Sequence, residues 1–155
     1  MLCPCQSNLP FEQCCEPFIN QTQRPETAEQ LMRSRYSAYQ QAKVDYIYQT
    51  QAPDTRDKNL LAEINRFAKS VQFIGLTVIA DRVKTENSAE VEFIARYIDA
   101  NDLVEMQECS QFIKLEGAWY YTEGQLAVKR KAISKNQACA CGSGKKFKRC
   151  CAAKY

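Results

Sequence analysis

Eight of the nine cysteines stand in two sets whose spacing suits one metal ion each. Cys3, Cys5, Cys14 and Cys15 read C-x-C-x8-C-C, and Cys139, Cys141, Cys150 and Cys151 repeat that spacing 136 positions later. Ser7 then falls on Ser143, and Phe11 on Phe147. There is no histidine, so a metal site must use sulfur or oxygen and no mechanism can rest on an imidazole base. Four thiolates close on zinc at about 2.3 Å per bond if the chain turns sharply after each C-x-C step. Gly142, Ser143 and Gly144 supply that turn, since glycine accepts positive φ. Gln6-Ser7-Asn8 takes its place in the first copy, where asparagine tolerates the left-handed region. A short helix opening within Lys145–Lys148 would return Cys150 and Cys151 to the metal and lay Phe147 over it.

Three other uses of these thiols compete. A reducing cytoplasm and the odd total argue against disulfides. Iron–sulfur clusters also take four cysteines, but at other spacings, and each knuckle is small to shield one. Buried free thiols would not crowd into thirteen residues. Two zinc ions per chain are expected, with Cys109 left free. The second run, CACGSGKKFKRCC, resembles the SEC-C motif named from the C-terminus of the SecA translocation ATPase. That resemblance implies zinc on its four cysteines and contact with partners such as a secretion chaperone or the ribosome. CPCQSNLPFEQCC is similar, with the Gly-Ser-Gly-Lys segment replaced. GSGKK is not a phosphate loop, which needs G-x-x-x-x-G-K followed by Ser or Thr.

Between the knuckles, expected at 1–22 and 127–155, residues 23–126 read as one α+β unit. Thr27-Ala28-Glu29-Gln30 reads as a capping box, and Met32, Tyr36 and Tyr39 continue a helical stripe. The period slips at Lys43-Val44, predicting a break and a second short helix to about Thr50. A third is predicted from Pro53-Asp54, burying Leu60, Ile64, Phe67 and Val71. Residues 73–83, 89–98, 103–115 and 118–123 are rich in β-branched and aromatic types. Short links between them predict an antiparallel meander with helices on one face.

LMRSRYSAY at Leu31–Tyr39, VEFIARY at Val91–Tyr97 and WYYTEG at Trp119–Gly124 resemble the YchJ family. The resemblance implies a cone-shaped roll like nuclear transport factor 2 (cystatin-like), a curved antiparallel sheet on helices between two zinc knuckles. It implies a fold rather than an activity. It departs at Gln51-Ala52-Pro53, where an aromatic residue or histidine before the proline would be expected. A pocket in such a cone would draw on Arg33, Arg35, Tyr36, Tyr39, Glu92, Arg96, Tyr97, Glu108, Ser110, Phe112, Trp119 and Tyr121. Tyr36, Tyr39, Phe112 and Trp119 also suit a plain core. Glu92 and Arg96 suit a solvent-facing charge pair, and Arg33 and Arg35 suit pairing with Glu92 or Glu108. Ser110 has no histidine to activate it. Cys109, beside Glu108 and near Glu105, reads as a structural thiol.

Charge divides along the chain. Nine Lys/Arg and no acidic residue follow Glu123, against twelve Lys/Arg and eighteen Asp/Glu before it. Such a tail attracts acidic partners. No run approaches the ~20 apolar residues that span a bilayer, and the start lacks the pattern of a signal peptide. With Met1 directly before Leu2-Cys3, no leader is expected, and the protein reads as cytoplasmic. The preferred reading is a zinc-binding interaction module, more a binder than an enzyme. Its basic C-terminal knuckle, with Lys145, Lys146, Lys148 and Arg149, would dock on an acidic protein, ribosome or translocation partner. The alternative is a small-molecule enzyme or ligand carrier using the central pocket. Nucleic-acid binding through the tail is a third reading.

Overall fold

The structure, a computed structural model, describes residues 1–154. Four antiparallel strands run in the order β1-β2-β3-β4. They are β1 (Val71–Thr85), β2 (Ser88–Asp99), β3 (Asp102–Leu115) and β4 (Ala118–Ala132). This is the predicted meander, joined by tight turns. The last is Glu116-Gly117, both at positive φ (49° and 82°), which suits the twist of a two-residue hairpin. In β2, Ala89, Val91, Phe93, Ala95 and Tyr97 are buried while Glu90, Glu92, Ile94 and Arg96 between them are half-buried. That alternation sets one face of the sheet against the helices. Bulges interrupt β1 at three points and the β3–β4 pair at Gln111/Phe112, curving the sheet around that face.

The helices lie on the concave side. Four are formed: α1 (Glu16–Ile19), α2 (Ala28–Gln40), α3 (Val44–Gln49) and α4 (Leu60–Ser70). The capping box on α2 forms, with Thr27 Oγ1 accepting from Gln30 N at 3.1 Å and the Gln30 side chain accepting from Glu26 N at 2.7 Å. Eight residues of α2 are buried, Ser34, Arg35 and Ser37 among them, because other elements cover it on several sides. The break falls where the period slips. Ala42 turns left-handed (φ 55°), and Lys43 N reaches back to Ala38 O at 2.8 Å, a Schellman closure.

Two boundaries differ from the sequence reading. Pro53–Thr55 is only a 3-10 turn, and the third long helix begins at Leu60. Residues 50–52 are tied to β4 instead, through Ala52 N to Tyr121 O at 2.7 Å and Tyr121 N to Thr50 O at 2.9 Å. A turn at Asp57, whose Oδ1 accepts from Asn59 N, leads into α4 at Leu60. β4 runs nine residues past its predicted end at 123, crossing the boundary drawn at 126. Its Lys129, Arg130 and Lys131 hide a strand pattern, yet they pair in register with β3, and Arg130 bonds Asp99 at 2.7 Å and Asp102 at 3.4 Å. Lysines along an edge strand also deter pairing with a foreign chain.

Candidate metal centres and a central pocket

The two knuckles are the same structure built twice. Leu2 bridges Pro10 as Ala138 bridges Lys146. Cys3 N donates to Leu9 O at 2.8 Å, and Cys139 N to Lys145 O at 2.8 Å. Ser7 Oγ lies 3.2 Å from Cys14 Sγ, and Ser143 Oγ 3.1 Å from Cys150 Sγ. The left-handed positions also coincide: Gln6 (60°) and Asn8 (67°) in the first copy, Gly142 (82°) and Gly144 (81°) in the second. Asn8 adopts that region readily, whereas Gln6 is strained there. The Gln6 side chain in return holds both Ile74 O and Leu76 N at 3.3 Å, at the bulge in β1.

Each set of four sulfurs lies within 4.8 Å of one another. Cys5 and Cys14 are 3.6 Å apart, Cys14 and Cys15 3.9 Å, and Cys141 and Cys150 3.4 Å. A tetrahedral site with bonds of about 2.3 Å needs sulfurs roughly 3.8 Å apart, so both sets fit a thiolate-bound metal ion. Among the described residues every cysteine is a free thiol. The protons are shared unevenly. A hydrogen bond from Cys15 holds Cys5 down at about 4, and burial pushes Cys14 up to about 11. In the second set a hydrogen bond from Ser143 holds Cys141 at about 6, while burial raises Cys151. A dication held by these four sulfurs would displace the remaining thiol protons and relieve the crowding of sulfur lone pairs.

The knuckles are seated differently. Cys3, Cys5 and Cys15 belong to the main core with Leu31, Met32 and Trp119, and Phe11, Phe18 and Ile19 pack against it. Arg33 of α2 donates to Cys5 O at 2.9 Å, and Ser37 Oγ lies 3.6 Å from Cys3 Sγ. The second knuckle sits on the opposite, convex face. There Phe147, only 1% exposed, packs with Ile98, Ile133, Cys139 and Cys151 in a separate cluster. This is why Ile98 is wholly buried on an otherwise polar face. Lys145, Lys146, Lys148 and Arg149 point away from it and are all exposed.

Between α2, α4 and the concave sheet lies a cavity of ≈ 280 Å³. Of the residues expected to line it, Arg35, Tyr36, Tyr39, Glu108, Ser110, Phe112 and Tyr121 do so. Arg33 does not, being spent on the first knuckle and lying 4.0 Å from Glu29. Glu92 and Arg96 lie on the convex face because of their strand parity. Glu92 sits 3.8 Å from Arg82, and Arg96 sits 3.5 Å from Glu105 and donates to Thr77. Tyr97 faces inward but fills core, edge-on to Phe67 at 5.4 Å. Trp119 donates to Glu26 O and packs beyond the cavity. Neither arginine pairs with Glu92 or Glu108: Arg35 donates to Ile47 O (2.7 Å) and Thr50 Oγ1 (2.6 Å) and lies 4.8 Å over the Tyr121 ring. Burial holds Glu108 above the ordinary carboxylate range, opposed by a hydrogen bond from Ser110 and by Arg35. Cys109 lies opposite Glu92 of β2 and beside Glu90, and desolvation followed by Glu90 raises it. Sequence reasoning missed Gln51, Phe93 and Met106 as lining residues. Alternation along β2 and β3 could have found the last two; only tertiary contact brings Gln51 in.

Residues 27–124 match the family described as YchJ, middle NTF2-like domain, and residues 2–17 and 136–153 each match the SEC-C motif. Fold and motifs together define an NTF2-like α+β protein with a SEC-C knuckle at either end. A UPF0225 protein of Geobacter sulfurreducens is 42% identical over 159 residues, 98% of each chain. One from Serratia proteamaculans is 40% identical over 153 residues, 97% of each. The crystal structure of a SEC-C motif containing protein from Psychrobacter arcticus is similar at TM-score 0.70 and 32% identity, over 100% of this chain and 97% of that one. The solution structure of another from Rhodopseudomonas palustris gives 0.75 and 34%, over 81% and 98%. The chain belongs to the YchJ family, designated UPF0225. No helix among the described residues is long and apolar enough to cross a membrane.

Proposed function

We propose that this protein is a cytoplasmic interaction module whose ends are folded by two zinc ions. Its basic C-terminal knuckle docks on an acidic protein, ribosomal or translocation partner. One observation carries the reading. Phe147 turns the apolar side of the knuckle into the sheet, leaving Lys145, Lys146, Lys148 and Arg149 exposed with no carboxylate within 4.0 Å among the described residues. Four unneutralised cations on a rigid support attract acidic surfaces. Four thiolates on Zn²⁺ carry a net −2 and only partly offset them. Replacing all four with Gln should remove partner capture from lysate at physiological salt and leave the melting temperature unchanged, because exposed charges contribute little to folding. Capture equal to the parent's would overturn the docking role. If the partner is RNA, affinity should fall steeply and linearly in log salt.

A second reading, a carrier or enzyme for a small molecule, is favoured by the central cavity, in which Glu108 lacks a cationic partner.

A further inference from the structure

The central cavity contains a buried guanidinium and a half-buried carboxyl that form no ion pair with each other. Arg35 is 8% exposed, and its hydrogen bonds all leave from Nη1, so Nε and Nη2 remain unspent. Glu108 faces the same cavity from β3 and accepts only the Ser110 hydroxyl. Among the described residues Arg35 has no carboxylate, and Glu108 no cation, within 4.0 Å. A ligand group within hydrogen-bond reach of both would give each the partner it lacks. The remaining walls are largely apolar and aromatic, with Phe73, Phe93 and Phe112 prominent. At ≈ 280 Å³ the space is at the small end of ligand sites.

The seat of Glu108 depends on a particular neighbour. A Cβ at Gly124 of β4 would lie 2.7 Å from Glu108 Cδ. Glycine there lets the carboxyl lie back against β4 at the cavity wall. Resting on the small-molecule reading of this cavity, we propose that it binds a small monocarboxylic acid with an apolar or aromatic body. The ligand carboxylate is held by the free edge of the Arg35 guanidinium and by the Glu108 carboxyl acting as a hydrogen-bond donor.

A planar guanidinium edge matches a carboxylate in a way that no single charge does. Two carboxyl groups can share one site only if one keeps its proton. Glu108 is the one that keeps it, since burial favours its neutral form. The ionisable groups facing it are Arg35 and Tyr39 of α2 and Tyr121 of β4. Burial raises both tyrosines, so neither carries charge at neutral pH. From the other packed elements come uncharged groups: Leu60 and Phe67 of α4, Phe93 and Ala95 of β2, and Gln51 before the Pro53–Thr55 turn. A bound anion raises Glu108 further, so binding tightens as pH falls.

Phenylacetate is the probe, with phenylacetamide and benzylamine as neutral and cationic counterparts of the same body. Each is titrated into the full zinc-loaded chain and followed by amide shifts and by calorimetry at two pH values. Phenylacetate should saturate, perturb Arg35, Glu108 and Tyr121, bind roughly tenfold tighter than phenylacetamide, and bind more tightly at the lower of two pH values. Ala95→Leu fills the cavity and should abolish saturation; Met106→Phe makes the same comparison if that variant does not fold. Glu108→Gln, whose amide donates but cannot take up a proton, should remove the rise in affinity at lower pH. A preference for benzylamine or phenylacetamide overturns the carboxylate proposal while leaving a cavity that takes small molecules. No saturation by any of the three, or saturation indifferent to both cavity-filling variants, overturns the small-molecule reading as well.

Discussion

Glu108 is the residue whose environment most alters its chemistry, and the consequence extends to folding. Its carboxyl ordinarily titrates at 4.5, and burial raises it in the folded chain. The folded state then holds the proton more tightly than the unfolded one. Stability falls as pH rises from 4.5 through the folded value, and it stays at that reduced level above it. Glu108→Gln should therefore unfold at higher urea than the parent at about pH 8, with the advantage vanishing toward about pH 4. Equal midpoints at the higher pH would mean that the carboxyl is solvated. Across the strand, Gly124→Ala places a Cβ 2.7 Å from Glu108 Cδ and should cost about 1–3 kcal/mol by overpacking. Combined with Glu108→Ala that cost should shrink, since contacting sites are not additive. Glu108 was legible as a candidate because it is a carboxylate on a predicted strand of the sheet. Gly124 was not, because its role is the absence of a side chain opposite one particular carboxyl.

The two knuckles repeat one element in unequal settings. Gln6 gives up the glycine that its counterpart Gly142 keeps, and uses the side chain to hold the β1 bulge at Ile74 and Leu76. The first knuckle shares the main core, whereas the second stands on its own cluster under Phe147. Cys15→Ser should therefore lower the melting temperature clearly more than Cys151→Ser. Hydrogen exchange should accelerate across α2 in the first variant and only around residues 133–153 in the second. Similar exchange in both would show that the first knuckle is not part of the core. The repeat was visible in the spacing of eight cysteines. Its unequal seating was not, because Phe11 and Phe147 occupy equivalent positions and differ only in what they meet.

At the scale of the whole chain, the proposed metals would divide the work of stability with the sheet. Elemental analysis of protein purified under reducing conditions should give two zinc ions per chain. Structural zinc contributes roughly 10–16 kcal/mol of apparent binding energy in small peptides. Chelation should release the C-terminal knuckle while the sheet stays folded, and it should also disturb the main core from the N-terminal side. Trp119 reports on that side, since its Nε1 donates to Glu26 O just before α2. Its emission should shift on chelation in the parent and in Cys151→Ser alike. An unmoved emission after loss of both metals would show that the central sheet and helices fold without the knuckle.

Local pattern was enough for much of this architecture. Cysteine spacing marked the two candidate metal sets, a capping box and a slipped period marked α2 and its end, and β-branched and aromatic residues marked the four strands. These signals are carried by neighbours in the chain, where a period of two or of 3.6 directly decides which side chains share a face. The start of α4, the length of β4 and the lining of the cavity were decided by tertiary contact. Residues 50–52 bind β4 rather than open a helix, and a run of lysines becomes a strand because β3 offers it a partner. Strand parity sent Glu92 and Arg96 to the convex face and Glu108 into the cavity. Whether an ionisable group there finds a counter-charge depends on helix and strand being brought together, so Arg35 and Glu108 show their lack of one only in the folded chain.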